Sequence, residues 1–477
     1  MQLGKLITKF DIKNPTTNGA LELPVAFNLM FGTSIGPSSN MPGYLRPETA
    51  QGQFLNFAKL LEFNNARMPF ASASIGKSFR NEISPRAGLL RVREFLMAEI
   101  EHYVDPEQKN HPRFVEVADK VSLAFLPKDV QLSGKTELIT KTIGEAVKSG
   151  MVDNETLGYF IARIYLFLMD LGVDPTKLRF RQHMANEMAH YATDCWDAEL
   201  LTSHGWVECV GCADRSAYDL TVHSKRTGQD LIVRENLEVP VVWEEWDVDV
   251  NQKWLGPKFR KDAKIVNEAI EALTQAEREV IASKGGDPVI TVKGLGEVTL
   301  EGAKIVKRQK SRNTREYTPN VIEPSFGIGR ILYSLIEHNF YTRAEDEARG
   351  VLAFLPKIAP TKVLIVPLSG NKDFEPFIDN LSRQMRKVGI QNRVDASSAT
   401  IGKRYSRNDE LGTPFGLTVD FQTLKDGTVT LRERDSMKQV RATAEVITEI
   451  VSAIVEERET WEAVVERLGE FKGQELD

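Results

Sequence analysis

The chain has 477 residues, more than one hydrophobic core accommodates, so two or three domains are expected. Hydrophobic residues make up 42% and charged residues 27%, the balance of an ordinary soluble globular protein, and no apolar run reaches membrane-spanning length. The net charge of −6 excludes an indiscriminate nucleic-acid binder, so an RNA partner must be met by a local basic face.

Residues 1–10 carry Lys5 and Lys9 but no arginine and no signal-peptide core. Residues 21–106 are dense in Gly, Pro, Arg and Glu. Residues 107–225 begin with helical patterns, such as that over 157–171, and end in a stretch rich in His, Trp and Asp. Residues 226–315 differ in kind: VPVVWEEWDVDV, a charged helical run over 258–284, then GGDPVITVKGLGEVTL, which reads as a hairpin. They look like a module inserted between parts of one site. This divides the chain into 1–225 and 316–358 as one core, 226–315 as the insertion, and 361–477 as a separate domain. After Pro360, KVLIVPL reads as a buried strand and 374–388 as an amphipathic helix. GLTVDF and GTVTLRER read as strands around an Asp-Gly turn, and a long helix follows Ser436. That pattern makes a compact α/β domain of about a hundred residues.

The cysteines, Cys195, Cys209 and Cys212, are too few for a disulfide framework and fit a reducing compartment such as the cytosol. Cys209-x-x-Cys212 has the spacing of a zinc half-site. Only Cys195, His190, His204 and His223 lie near as further ligands, and no second pair follows, which tells against structural zinc.

Two segments carry chemistry. KSFRNEI and LRVREFLMAEIEHY read as strands joined by a Pro/Gly loop. Alternation puts Arg91, Arg93 and Phe95 on one face with Met97 and Glu99, and Arg80 with Glu82 on a face of the partner. Guanidinium forks, a ring and carboxylates suit a nucleoside triphosphate: arginine for phosphate, the ring for the base, carboxylates for Mg²⁺ or an ammonium. A salt-bridged exposed hairpin is the competing reading. The second segment, Glu323-Pro-Ser325-Phe-Gly-Ile-Gly-Arg330, follows a strand-like TPNVI and precedes a helix. Glycines at such a junction let the backbone approach a ligand, and Arg330 on the first helical turn can cover a base or clamp a phosphate. Taken alone, a Gly-x-Gly is as often a structural turn.

FRNE…RxxxFxxxE resembles motif 2, and EPSFGIGR motif 3, of class II aminoacyl-tRNA synthetases. GYLRPETAQG (43–52), RNEISPRAGLLRVREF (80–95), RFRQHMANEMAHYATDCWDAE (179–199), GCADRSAYDL (211–220) and NVIEPSFGIGR (320–330) are similar to eukaryotic-type glycyl-tRNA synthetases, and the likeness covers essentially the whole chain. The implied fold is α/β (α+β): an antiparallel-sheet catalytic core with helices and an inserted module, plus a C-terminal α/β anticodon-binding domain.

The resemblance implies that glycine, ATP and tRNA-Gly are substrates and Mg²⁺ the cofactor. It implies ATP binding by Arg80, Glu82, Arg91, Phe95, Glu323 and Arg330, with Arg80 and Arg330 catalytic through phosphate charge. Glycine binding falls to Glu48, Glu99, Arg215, Glu323 and Ser325, with Arg215 on the glycine carboxylate; Glu82 and Glu323 are the Mg²⁺ candidates. Glycine has no smaller competitor, so steric exclusion suffices and no editing domain is needed. A side reaction making diadenosine tetraphosphate is also implied.

For RNA, Arg383, Arg386 and Lys387 lie along one predicted helix, and Lys403, Arg404 and Arg407 along the next. The residues alone divide evenly between a solvated face and RNA contact; the resemblance tips them towards the anticodon stem. It likens the 226–315 insertion to family insertions near the acceptor stem. The family works as a homodimer through motif 1, which is not legible before Gly43, so the chain reads as truncated there. Two further readings stand beside the active cytoplasmic, or also mitochondrial, synthetase. One is a non-catalytic tRNA-binding remnant, the other a sibling enzyme for another amino acid, which needs a different pocket from Glu48, Arg215 and Ser325.

Overall fold

In the computed structural model, every residue is described except 1, 26, 39–40, 188–191, 251, 345 and 474–477. Two short helices, α1 (Ala50–Leu55) and α2 (Phe57–Phe63), precede a hairpin of two strands, β1 (Phe70–Phe79) and β2 (Glu94–Val104). Alternating burial along both strands sets one face inward, with Phe70, Ser78, Met97, Glu99, Glu101 and Tyr103 among the buried residues. There follow β3 (Ser122–Leu126), β4 (Ile139–Thr142), α3 (Glu155–Asp170), β5 (Leu178–Gln182), β6 (Asp194–Thr202), β7 (Gly205–Asp214) and α4 (Tyr218–Thr227).

The helix α3 forms because Asn154 caps Leu157 N at 2.9 Å and Leu157, Ile161, Ile164 and Leu168 recur on one face. That face covers one side of the sheet, burying Trp196, Phe125 and Phe180 in the principal core. Each such fully buried side chain contributes roughly 1.5–3 kcal/mol.

Residues Asp230–Thr318 form a compact unit of their own. It holds β8 (Val233–Asp249), α5 (Ala263–Glu271), α6 (Gln275–Lys284), β9 (Val289–Val292), β10 (Gly296–Thr299) and β11 (Lys304–Tyr317). β8 and β11 pair as a long antiparallel ribbon whose register shifts between Asn236 and Val241, where Pro240 has no N–H to donate. The strands are oppositely charged: Lys307 pairs with Glu244 at 3.0 Å, Arg308 with Asp249 at 2.8 Å, and Lys310 with Asp247 at 3.0 Å. A small core of Leu255, Val266, Ile270, Ile290, Val292 and Leu300 lies in the same unit.

The chain then supplies β12 (Asn320–Gly327), α7 (Ile328–His338) and a hairpin of β13 (Phe340–Arg343) with β14 (Asp346–Leu352). β12 completes an eight-stranded sheet in the order β1-β2-β12-β7-β6-β5-β3-β4, antiparallel except where β3 meets β5. The last domain comprises β15 (Val363–Pro367), α8 (Glu375–Lys387), β16 (Asn392–Val394), α9 (Ile401–Glu410), β17 (Phe415–Val419), β18 (Thr428–Glu433), β19 (Gln439–Thr443), α10 (Ala444–Val455) and α11 (Trp461–Leu468). Its sheet order is β16-β15-β17-β18-β19.

Three local expectations change. The motif 2 strands stop at Phe79 and resume at Glu94, so Arg80, Glu82 and Arg91 lie in the loop between them and share no strand face. Ala87 and Gly88 at φ 58° each bend that loop, and Arg80 N donates to the Arg93 carbonyl at 3.0 Å. No tight Asp-Gly turn joins β17 to β18: residues Thr423–Asp426 make a helical turn ended by Gly427 at φ 72°. After Ser436 comes β19, which finds its ladder on β18, before α10 begins.

Candidate active site

The site rests on one transverse row of the sheet. Ser74, Glu99, Ser325, Gly211, Asp197 and Arg181 stand directly opposite one another on β1, β2, β12, β7, β6 and β5. Opposed residues on antiparallel strands point the same way, so the row presents a single face. Two residues along, Glu101, Glu323, Ala213 and Cys195 present the same face again.

Glu99 is buried and fully engaged. One carboxylate oxygen accepts from Thr49 N at 2.5 Å, Ala50 N at 3.0 Å and the Thr49 hydroxyl, and the other from Ser325 Oγ at 3.3 Å. It thereby fixes the start of α1, which places Glu48 beside the row. Gln51 Nε2 donates to Glu48 at 2.7 Å and to Asp219 at 3.3 Å, while its Oε1 lies 2.6 Å from His223.

Arg215 lies among these carboxylates. It donates to Asp219 at 2.9 and 3.2 Å and to Glu323 at 2.7 Å, and lies 4.0 Å from Glu48. Burial alone disfavours the guanidinium charge, but Glu323, Asp219 and Glu48 hold its pKa above the ordinary value. Burial raises the Glu323 carboxyl against the pull of Arg215, with Glu99, Glu48 and Asp219 pushing the same way as burial. Behind them Glu101 is fully buried, with neither oxygen hydrogen-bonded among the described residues, and burial followed by Glu323 raises it.

Arg215 sits on a strained turn, since Ser216 adopts φ 52°. Asp214 secures it: one oxygen accepts from Ser216 N at 3.0 Å, the other from Lys109 Nζ at 2.7 Å and Asn154 Nδ2 at 3.0 Å.

The motif 2 loop brings the other predicted residues to the same cavity, which has a volume of about 260 Å³ and reaches from Glu48 and Glu323 to Arg80, Phe95 and Arg330. The Arg80 guanidinium lies 5.4 Å from the Phe95 ring centre. Arg91 grips Glu82 at 2.9 and 2.6 Å. Arg330, on the first turn of α7, donates to the carbonyls of Leu90 at 3.2 Å and Glu208 at 2.8 Å. Arg93 points elsewhere, donating to the Glu82 carbonyl at 2.9 Å. Glu323 and Ser325 lie on β12 itself, not in a glycine-rich turn.

Three expectations need restating. Arg215 is already occupied by carboxylates. Glu82 and Glu323, the Mg²⁺ candidates, each answer an arginine through one oxygen: Glu82 Oε1 accepts from Arg91 and Glu323 Oε2 from Arg215. Arg404 is buried, and its Nη1 donates to the Pro367 and Asp395 carbonyls at 2.9 and 3.0 Å, so it holds the domain together and is not open to RNA. Its neighbours differ: Lys403 is exposed, Arg407 is exposed but paired with Asp395 at 2.9 Å, and Arg383, Arg386 and Lys387 are exposed on α8. α8 packs against β15, β16 and α10, whereas α9 packs against β14 and β15.

Cys209 and Cys212 are buried, and Cys209 Sγ lies 3.7 Å from Ser334 Oγ. His190 lies outside the described residues, and His223 is bonded to Gln51. Among the described residues one group has metal-ligand spacing, and it contains neither Cys209 nor Cys212: His183, Cys195 and Asp197. There His183 Nε2 meets Asp197 at 2.7 Å, and that hydrogen bond raises the imidazole pKa despite burial. Arg181 also donates to Asp197, at 3.2 Å. This group was not singled out from the sequence; the signal that could have found it is a polar side chain at every second position of RFRQH and DCWDAE. No comparable period marks Asp219, Gln51 or Lys109, which reach the site from a helix, a helix start and a loop.

Residues 39–339 match the tRNA synthetase class II core domain (G, H, P, S and T), and residues 362–454 the anticodon binding domain. The chain is 60% identical to glycine–tRNA ligase 1, mitochondrial, of Saccharomyces cerevisiae, over 99% of this chain and 69% of the relative. It is 53% identical to glycine–tRNA ligase 2 of the same yeast (95% and 74%) and 49% identical to glycine–tRNA ligase of Bombyx mori (99% and 65%). Among the described residues no helix is long and apolar enough to cross a membrane. With a class II core, an anticodon-binding domain and this identity over nearly its full length, the chain belongs to the glycyl-tRNA synthetase family.

Proposed function

We propose that the chain joins glycine to tRNA-Gly in two steps driven by ATP. The observation that carries this reading is that Glu48, Glu99 and Glu323 line the same small cavity as Arg80, Phe95 and Arg330, with Arg215 paired to Glu323 and 4.0 Å from Glu48. A substrate with only an ammonium and a carboxylate must be recognised by charge, and these carboxylates suit the ammonium.

In the first step the glycine carboxylate attacks the α-phosphorus of ATP, and the bond to pyrophosphate breaks. No side-chain nucleophile is needed; position and charge do the work. The ammonium docks among Glu48, Glu99, Glu323 and Ser325. By competing for Glu323 it loosens the Arg215 pair, so that Arg215 turns to the glycine carboxylate. Arg80 leaves the Phe95 ring for the α-phosphoryl oxygens, adenine takes its place on Phe95, and Arg91 and Arg330 balance the outer phosphates. In the second step a terminal ribose hydroxyl of the tRNA attacks the glycyl carbonyl and AMP leaves. Mg²⁺ belongs to the reading as the companion of the triphosphate, and Glu82 and Glu323 would hold it once their arginines turn to the substrates.

The exposed cations of α8 and α9, Arg383, Arg386, Lys387, Lys403 and Arg407, are proposed to meet tRNA phosphates. A cytoplasmic location is supported by three free cysteines, and a mitochondrial form by the name of the yeast relative, glycine–tRNA ligase 1, mitochondrial. A second copy of the chain as partner is supported by family alone.

The test is pyrophosphate exchange into ATP with glycine, alanine and serine in parallel. Exchange with glycine alone is expected. Equal exchange with alanine, or none with glycine while ATP still binds, defeats the reading.

A further inference from the structure

Several glycines of the core have a local reason to be glycine. Gly205 turns the chain between β6 and β7 at φ 90°. At Gly327 a Cβ would stand 3.3 Å from the Cys209 carbonyl, and at Gly158 2.7 Å from Val147. Gly211 has no such reason. It lies inside β7 without a positive φ, and a Cβ there would meet only Asp197 Oδ1, at 3.8 Å, an ordinary contact. An alanine therefore fits the strand. Glycine in a strand interior costs roughly 0.5–1 kcal/mol relative to alanine, so the fold gains nothing from it. Such a glycine marks a bulge, a bend or a place where something approaches the backbone closely; the bulge of β7 falls at Cys209, while Gly211 itself pairs in register with Ser325 and Asp197, which leaves close approach.

The transverse row says what approaches. Gly211 stands between Ser325 and Asp197 on the face that lines the cavity. Adjacent strands are about 4.8 Å apart. An amino acid whose ammonium sits beside Ser325 and Glu99 carries its carboxyl carbon about 2.5 Å further on. Directed across the sheet, the Cα lies over Gly211, and the anionic Asp197 beyond turns the carboxylate aside, towards Arg215.

We propose that Gly211 is a specificity-determining residue for glycine: its bare backbone is the floor beneath the substrate's Cα. This rests on the glycine-activating reading above. One Cα hydrogen of the substrate then faces the strand, and a methyl in its place meets backbone. A side chain at position 211 takes up the same space from the protein side.

The experiment compares the full chain with Gly211→Ala in glycine-dependent pyrophosphate exchange, with the melting temperature of each. The KM for glycine rises at least tenfold in the variant, the KM for ATP stays within twofold, and the melting temperature does not fall. Three results overturn the inference alone: an unchanged glycine KM, equal rises in both KM values, or a melting temperature lower by several degrees, which makes the glycine a requirement of the fold. If the unaltered chain shows no glycine-dependent exchange, the underlying reading fails and takes this inference with it.

Discussion

Asp409 and Arg343 are 3.0 Å apart, and their contact ties α9 of the anticodon-binding domain to the hairpin that follows the motif 3 helix. The same carboxylate takes both Arg432 Nη atoms at 3.3 and 3.4 Å and Arg349 at 3.5 Å. Arg343 also donates to the Arg434 carbonyl at 2.8 Å, and Arg434 in turn to the Phe354 carbonyl at 3.1 Å. Three guanidiniums thus share one buried carboxylate at a joint between the core and the last domain.

Removing that charge leaves buried arginines without a counter-ion, a loss of about 3–5 kcal/mol. Asp409→Asn is therefore expected to melt several degrees lower. The joint lies away from the glycine cluster, so pyrophosphate exchange should stay within about threefold, while charging of full-length tRNA falls further. Parallel assays of the two reactions check this; equal losses in both count against the joint as a link between RNA binding and chemistry.

Glu323 carries the pH prediction. Its carboxyl is raised in the folded chain by burial and by Glu99, Glu48 and Asp219, against Arg215. A raised folded-state pKa contributes stability that is fully present below the unfolded value, about 4.3, and is lost as pH rises through the folded value. Urea denaturation across that window should show Glu323→Gln losing less stability with rising pH than the unaltered chain. The ammonium prefers the ionised carboxylate, so glycine KM should fall as pH rises through the same window. A pH-independent glycine KM speaks against docking on Glu323.

How much of this was legible in the sequence depends on the distance over which each residue acts. Arg80, Glu82, Arg91 and Phe95 sit within one hairpin, and their convergence was readable although the strands end earlier than alternation suggests: Ala87 and Gly88 bend the loop that brings them together. The helix α3 was readable because its apolar period is local. Arg404 was misread because a basic residue on a helical pattern carries no sign of which face turns inward; only tertiary contact with the Pro367 and Asp395 carbonyls decides it. The transverse row as a row was not legible, although the resemblance names Glu99 and Ser325 within it. Ser74, Asp197 and Gly211 are brought together by strand order and register, which no single segment encodes.

Lys109→Met tests the support of the Arg215 turn. Lys109 Nζ lies 2.7 Å from Asp214, whose side chain is fully buried. Asn154 and Ser216 N keep Asp214 partly satisfied, so the cost should be about 2 kcal/mol, below that of a fully orphaned charge. Because Asp214 holds Ser216 N, glycine KM should rise more than ATP KM. Equal changes point to general loosening.

Phe95→Leu separates the two ends of the cavity. Loss of a stacking ring is worth roughly 1–3 kcal/mol, so ATP KM should rise about tenfold or more while glycine KM moves little. A variant with unchanged ATP KM removes adenine from Phe95.

The cations of the last domain divide into two classes by burial, and the division is testable. Arg383, Arg386 and Lys387 are exposed on α8, so replacing all three by Gln should leave the melting temperature near its original value. Each phosphate contact contributes about 0.7–0.9 to the slope of log affinity against log salt, so the variant should bind tRNA more weakly with a shallower slope. Arg404→Met should do the opposite. Its guanidinium holds the carbonyls of Pro367 and Asp395 inside the domain, so its loss lowers stability by about 2 kcal/mol and leaves the salt slope of the folded fraction unchanged. Filter binding of tRNA-Gly across a salt series, paired with thermal melting, distinguishes the classes. An unchanged slope in the triple variant places the RNA on another face of the domain.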